Sequence, residues 1–353
     1  MADAITQATS LSCAVPTQAG DCVQLAHGEG GRLMRRLIRE QILRHFKDAG
    51  TQGLSDAATL PDLHGPLAMT TDGFVVSPLF FPGGDIGSLA VHGTLNDLAV
   101  VGATPRFLSL SLVLEEGFGL SLLDRILNSV ANAADKSQVQ VVTGDTKVVP
   151  RGAADGVFIN TTGIGVLSDR APHGAHSLEI GDELVVTGPI GRHGLAVMAA
   201  RNGLLFDPAP ASDSASLVEP CQALLRSKID VRAMRDATRG GVAAVLHEWA
   251  EDCGYTLSIC EANVPVTPEV RGACEVLGLD PLHVANEGTM LVAVRPGDAK
   301  AAIEVLRKFE PTAHSVRIGE VRSRDLVPVT VTRALGREMP LDEPLGAPLP
   351  RIC

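Results

Sequence analysis

The stretch MTTDGFVVSPLFFPGGDIGSLAVHGTLNDLAVVGATP, residues 69–105, carries the reading of the fold. With the two residues before it, the run 67–77 (LAMTTDGFVVS) reads as a strand interrupted by Asp72-Gly73, followed by a loop over 78–84. Residues 86–102 then read as a helix, and 107–114, which alternate apolar and polar, as a strand. Beyond them a helix is expected over 120–134 and strands over 139–143 and 157–166, which makes this half of the chain α+β.

Upstream, His27-Gly28-Glu29-Gly30-Gly31 opens an amphipathic helix with Leu33, Leu37, Leu43 and Phe46 on one face and Arg35, Arg36, Arg39 and Arg44 largely on the others. Residues 1–27 are polar, rich in small residues and without a period, and read as a mobile N-terminal extension. Downstream, the His-, Pro-, Gly- and Ser-rich stretch 168–181 suits a linker between a first domain over 28–168 and a second over 169–340. The second opens with a strand at 183–187, the turn Gly188-Pro189-Ile190-Gly191-Arg192-His193-Gly194 and a helix at 195–201. These are the ingredients of a phosphate-binding start, but such turns serve close strand-to-helix packing more often. Helices near 217–227, 240–252, 268–277 and 297–308 and strands near 255–260, 289–294 and 315–321 give an alternating α/β pattern. The last 14 residues, PLDEPLGAPLPRIC, hold four prolines; an extended tail of this kind, at ~3.1 Å per residue, reaches ~30–40 Å.

At 353 residues, two separate cores are expected. Lys and Arg number 30 against 41 Asp and Glu, a net charge of −11, which argues against non-specific binding to nucleic acid or an anionic membrane. One Trp and one Tyr leave few platforms for stacking bases. No apolar run approaches the ~18 residues of a membrane span, and no basic n-region precedes an apolar stretch at the start. A soluble, cytoplasmic protein is expected.

Seven cysteines (Cys13, Cys22, Cys221, Cys253, Cys260, Cys274 and Cys353) form an odd set without paired CxxC spacing, against a disulfide framework or a structural zinc site. Six read as ordinary thiols; Cys353 is the last residue, and on a proline-rich tether it combines a nucleophilic sulfur with exposure and reach. Arg351 would lower its pKa and the terminal carboxylate would raise it.

Asp56, Asp72, Asp97 and Asp145 sit in short polar contexts beside apolar runs. Brought together they would suit a hard cation such as Mg²⁺ bridging to phosphates; taken singly, each suits a helix cap or a turn. Lys147 is one of six lysines and follows Gly-Asp-Thr, where it could neutralise charge in phosphoryl transfer or simply face solvent. Glu287, just before an apolar strand, could be a general base or a turn carboxylate.

Taken together, HGEGGRLM (27–34), the 69–105 stretch, GDTKVV (144–149), TGPIGRHG (187–194), DATRGG (236–241), ANEG (285–288) and the terminal PRIC resemble the HypE family of hydrogenase expression/formation proteins. That family lies within the superfamily of aminoimidazole ribonucleotide synthetase, selenophosphate synthase and thiamine-monophosphate kinase. The resemblance implies an ATP- and Mg²⁺-dependent enzyme with an N-terminal α+β domain that binds ATP and dimerises, a C-terminal α/β domain, and a flexible tail over 341–353. It also implies that the enzyme's own C-terminal cysteine, here Cys353, is carbamoylated by the carbamoyltransferase HypF and dehydrated with ATP to a thiocyanate. The cyanide then passes to iron on the HypC–HypD complex for the [NiFe]-hydrogenase centre.

By the same resemblance Cys353, Glu287 and Lys147 are catalytic, and Gly28, Gly30, Gly31, Asn96, Asp145, Thr146, Asp236, Thr238 and Arg239 contact the nucleotide. Asp56, Asp72, Asp97 and Asp145 hold the metal. Two positions depart from the family pattern: Ser55 stands where Asp is frequent, and Ala237 where Pro is frequent. Phosphorylation of a small molecule is the competing enzymatic reading. A scaffold that merely displays Cys353 is the non-enzymatic one.

Overall fold

In a computed structural model, which describes residues 20–46, 55–346 and 351–353, the first regular element is α1 (Arg32–Leu37). A wider π turn to Ile42 and a 3₁₀ turn to His45 continue it, burying Leu37, Ile42 and Phe46 while the arginines stay exposed. Most of the segment expected to be a mobile extension lies outside the described residues, but its end departs from that expectation. Val23 is 1% exposed, and its N–H and C=O pair with Phe118 and Gly117, so this part is docked on the first domain.

The first domain continues with β1 (Leu67–Phe74), a ribbon of β2 (Phe80–Phe81) and β3 (Gly84–Asp85), α2 (Ile86–Val100), β4 (Ala103–Glu115), α3 (Leu120–Lys136), β5 (Gln140–Val149) and β6 (Val157–Leu167). Four strands form one sheet in the order β1-β6-β4-β5. Leu108, Leu110, Leu112 and Leu114 of β4 are buried on its inner face. Alternation puts Leu67, Met69 and Thr71 of β1 outward, where Leu67 and Met69 are 56% and 71% exposed.

The helix α2 starts where the Asp85 carboxylate accepts from the amides of Gly87 and Ser88. It lacks an apolar stripe and is buried on nearly every side, because the second domain covers the face turned away from the sheet. The strand expected over 139–143 runs on to Val149 as β5, parallel to β4, so Gly144-Asp145-Thr146-Lys147 is edge strand rather than turn. An edge strand with one face outward tolerates that polar run.

The second domain contains β7 (Glu183–Val186), α4 (Arg192–Asn202), α5 (Val218–Arg226), β8 (Val231–Asp236), α6 (Gly241–Cys253), β9 (Thr256–Cys260), α7 (Pro268–Leu277), β10 (Met290–Val294), α8 (Ala299–Leu306), β11 (Val316–Arg322), β12 (Val329–Thr332) and β13 (Glu338–Pro340). Its seven-stranded sheet has the order β13-β12-β9-β11-β7-β10-β8. Every neighbouring pair is antiparallel except β9 with β12. Helices and strands alternate along the chain, yet the pairing is mixed. Three strands of this domain had no counterpart in the sequence reading: β8, β12 and β13 are defined by their partners β10, β9 and β12.

Candidate active site

Four segments from both domains converge on one buried acidic cluster. Asp72 lies near the end of β1, opposite Thr161 of β6. Asp97, one turn before the end of α2, accepts a hydrogen bond from the Thr70 hydroxyl at 2.9 Å. Asp236 closes β8 and pairs in register with Met290 of β10, and Thr238 and Arg239 form the turn into α6. Glu287 sits in the loop just ahead of β10 and is 3% exposed.

These carboxyls act on one another. Burial, then the charges of Asp236, Asp213, Asp72 and Asp97, pushes Glu287 well above the usual carboxylate range. Burial and Asp97 push Asp236 up to about 7, and burial raises Asp72 and Asp97 while the Arg239 guanidinium opposes the rise.

Asp213, which the sequence reading did not single out, shapes the Glu287 loop. Its carboxylate accepts from the amides of Glu287 (3.1 Å) and Gly288 (3.0 Å) and from the Thr289 hydroxyl (2.9 Å). A Cβ on Gly288 would lie 1.8 Å from the Asp213 carbonyl oxygen, so only glycine permits this approach. Asp213 lies 74 residues before Glu287, in a stretch without periodicity, and no local signal marks it.

Asn96 donates to the carbonyls of Ala215 (3.0 Å) and Glu287 (3.4 Å) and accepts from the Leu217 amide (2.7 Å). In this conformation its amide joins the two domains. Ala237 donates its amide to the Thr289 carbonyl at 2.9 Å, a bond that proline at this position would lack. In the glycine turn ahead of α4, Gly191 donates to the Asn286 side chain (2.7 Å), and Ile190 and Gly194 donate to the Pro265 and Ala285 carbonyls. Those amides serve packing, as the structural reading of this turn expects.

The chain end enters the same cluster. The Val75 amide donates to a main-chain carboxylate oxygen of Cys353 (3.1 Å), and the His193 ring lies 2.6 Å from the Ile352 carbonyl. Arg351 pairs with Asp155 (2.7 Å) and the Val75 carbonyl, and Arg201 donates to the Arg351 carbonyl. Ile352 is 4% exposed, and burying such a side chain contributes about 1.5–3 kcal/mol. Burial, with Glu287 and Asp72, pushes the Cys353 thiol up to about 12 against the opposing Arg239. Arg351 is turned to Asp155, and burial dominates the thiol.

The remaining residues singled out in the sequence form a second group along β5. Asp145 and Lys147 pair at 2.7 Å on its exposed face, the same face as Leu67 and Met69, since Asp145 aligns through Ser111 and Asn160 with Gly73. The Lys147 ammonium, first among the causes, lowers the Asp145 pKa. Gly28 packs against Val148 so closely that a Cβ would meet it at 3.0 Å, whereas Gly30 and Gly31 open to free space. Thr146 turns inward and is buried. Ser55, Ala57 and Ala58, which bracket the exposed Asp56, line a cleft of about 280 Å³ together with Gly144, Asp145 and Thr146. Within one chain the proposed metal ligands therefore divide: Asp72 and Asp97 lie in the acidic cluster, Asp56 and Asp145 beside β5.

Among the described residues no three His, Cys, Asp or Glu side chains are already close enough to hold a metal ion. The donor set of the cluster nonetheless suits a hard divalent cation. Asp72, Asp97 and Asp236 are oxygen donors whose carboxyls burial raises, with the neighbouring carboxylates adding to the rise at Asp97 and Asp236. No helix among the described residues is long and apolar enough to cross a membrane.

The sequence pattern of the AIR synthase related protein N-terminal domain matches residues 54–167, and that of the C-terminal domain matches residues 179–331. The chain is 44% identical over 333 residues to the carbamoyl dehydratase HypE of Bradyrhizobium diazoefficiens, covering 94% of this chain and 96% of that protein. A crystal structure of HypE in complex with ATP superposes with a TM-score of 0.88 at 45% identity, over 94% of this chain and 99% of the other. The structure of a HypE–HypF complex gives a TM-score of 0.77 at 41% identity, over 89% and 100% of the two chains. With both domain patterns matched in order and the likeness spanning nearly its whole length, the chain belongs to the HypE family, on the two-domain AIR synthase related fold.

Proposed function

We propose that this protein is an ATP-dependent carbamoyl dehydratase whose substrate is its own S-carbamoylated Cys353, converted to a thiocyanate that supplies the cyanide ligand of a [NiFe]-hydrogenase iron centre. The observation that carries the reading is the placement of Cys353, the last residue of the chain, beside Glu287, Asp72 and Arg239 in a buried acidic cluster.

The reaction is R–S–C(O)NH₂ + ATP → R–S–C≡N + ADP + phosphate, with the two amide protons released to base. The carbamoyl oxygen attacks the γ-phosphorus and ADP leaves; the C–O bond then breaks with phosphate as leaving group as the nitrile forms. Glu287 accepts an amide N–H proton. Its buried setting among four aspartates makes its carboxylate an unusually strong base once ionised. Arg239 stabilises negative charge on the transferring group, and Asn96 and Asp213 hold the Glu287 loop. A divalent cation, when bound by Asp72, Asp97 and Asp236, supplies charge neutralisation for these carboxylates and for phosphate oxygens.

We assign the nucleotide to the cleft and glycine segment beside β5, with Gly28, Gly30, Gly31, Asp56, Asp145, Thr146 and Lys147 around it. Asp145 and Lys147 lie apart from Cys353 in one chain, and the outer sheet face that carries them also exposes the apolar side chains Leu67 and Met69. A homodimer through that face, with Asp145 and Lys147 serving the second copy's cluster, accounts for both facts. A docked thiol pushed up to about 12 is a poor nucleophile, so carbamoylation by HypF, the partner in the related complex, takes place with the tail undocked. Delivery to a HypC–HypD acceptor follows from the same reading.

Intact-mass analysis of the C-terminal peptide with carbamoyltransferase, carbamoyl phosphate and ATP tests the proposal. The expected result is a gain of one carbamoyl group on Cys353, then loss of one water dependent on this protein's ATP consumption. A carbamoylated tail that never loses water in the presence of Mg²⁺ and ATP would sink it.

A further inference from the structure

We propose that His193 is a positioning residue that latches the chain end in place by holding the main chain one residue before Cys353. His193 lies in the first turn of α4, is 0% exposed, and stands edge-on to the Phe81 ring at 5.4 Å between centroids. Its Nε2 lies 2.6 Å from the Ile352 carbonyl oxygen and its Nδ1 2.8 Å from Ser212 Oγ.

A carbonyl only accepts, so Nε2 carries the proton and donates. Nδ1 is then an acceptor for the Ser212 hydroxyl, whose oxygen in turn accepts from the Ser214 amide at 3.0 Å. The donor–acceptor order is complete with a neutral imidazole, the form that burial favours.

Two features make this more than a packed histidine. The bond is to main chain across 159 residues of sequence, and the tail segment it holds has no regular structure of its own. The same short segment also reaches the proposed base, because Ser212 orients His193 while the next residue, Asp213, holds the Glu287 loop. The position of Cys353 and that of Glu287 are thus referred to one short stretch, Ser212–Ser214. A group that sets the distance between reacting partners acts on rate without touching them.

The proposal takes Cys353 as the reacting group from the reading above, but its test uses no catalysis. Alkylation of the full-length protein by iodoacetamide is followed by mass mapping, with the buried Cys221 and Cys274 as internal controls of the fold. In His193→Ala, Cys353 is expected to react faster by on the order of fivefold to tenfold, the factor one net hydrogen bond supplies, with Cys221 and Cys274 still protected. His193→Gln, whose amide still donates, should restore part of the protection. An unchanged Cys353 rate in His193→Ala overturns the latch, as does equal acceleration in His193→Gln. Should all three cysteines become reactive in His193→Ala, the fold is lost and Ser212→Ala decides. It removes only the orienting hydroxyl, and a Cys353 rate equal to wild type there overturns the proposal.

Discussion

The backbone amide of Val75 donates to a main-chain carboxylate oxygen of Cys353 at 3.1 Å, which ties the last residue of the chain to the residue that follows β1. Asp72 lies three residues earlier, on β1, so the bond brings the C-terminal thiol within range of the charge of the first carboxylate of the cluster. Because the tail is held by main chain and by its Arg351 and Ile352 side chains, the Cys353 side chain stays free to carry the reacting group.

For Glu287→Gln we expect ATP binding to persist while single-turnover dehydration slows by about 10²–10⁴. The base must be ionised, and its pKa lies well above the usual range, so the wild-type rate should rise with pH through that raised value. The glutamine variant should lose this limb. A rate–pH profile of the two proteins checks it, and identical profiles would remove Glu287 as the base.

Lys147→Ala and Glu287→Gln should each be nearly inactive alone, yet regain activity when mixed under conditions that allow subunit exchange. Lys147 is ion-paired on exposed β5, apart from the cluster that holds Glu287, so a site built from two copies leaves one complete site in each mixed dimer. Absence of recovery despite demonstrated exchange would mean that each site takes both residues from a single chain.

Without divalent cations the protein should be more stable near pH 5 than near pH 8. Asp236, at about 7 in the folded chain, binds a proton that the unfolded chain releases near 4. Between those values the native state holds more protons, and stability falls as pH rises through the window. Thermal unfolding across this range should show the decline in wild type, a flatter profile in Asp236→Asn, and recovery on adding Mg²⁺ at pH 8.

Gly288→Ala forces a Cβ to within 1.8 Å of the Asp213 carbonyl, so that loop must move. A loss of about 1–3 kcal/mol in stability is expected, with a further fall in dehydration rate because Glu287 moves with it. Denaturant titration and single-turnover kinetics measure the two effects. Asp213→Ala should resemble it, since it leaves two amides and a hydroxyl without their acceptor.

Much of the first domain was legible because its elements are long and periodic. The helix α2 starts at Ile86 as expected, and β6 begins at Val157 as expected. What escaped was short or dependent on partners: β8, β12 and β13, and the run of β5 past residue 143, whose polar residues look like a turn until β4 is beside them. Asp213 holds the Glu287 loop from 74 residues away and His193 holds Ile352 from 159 residues away, separations at which no local pattern exists.

By itself the sequence settled which chemical groups are present and where local structure starts and stops: periodicity and capping are short-range, and the cysteine at the chain end is visible on its own. Tertiary structure decided which of these groups meet. It divided the aspartates between a buried cluster and an exposed edge strand, seated Cys353 against Glu287, and turned a serine-flanked aspartate and a glycine-turn histidine into the supports of that arrangement. The physical reason is that burial and charge repulsion depend on distances in space, which the folded backbone alone sets.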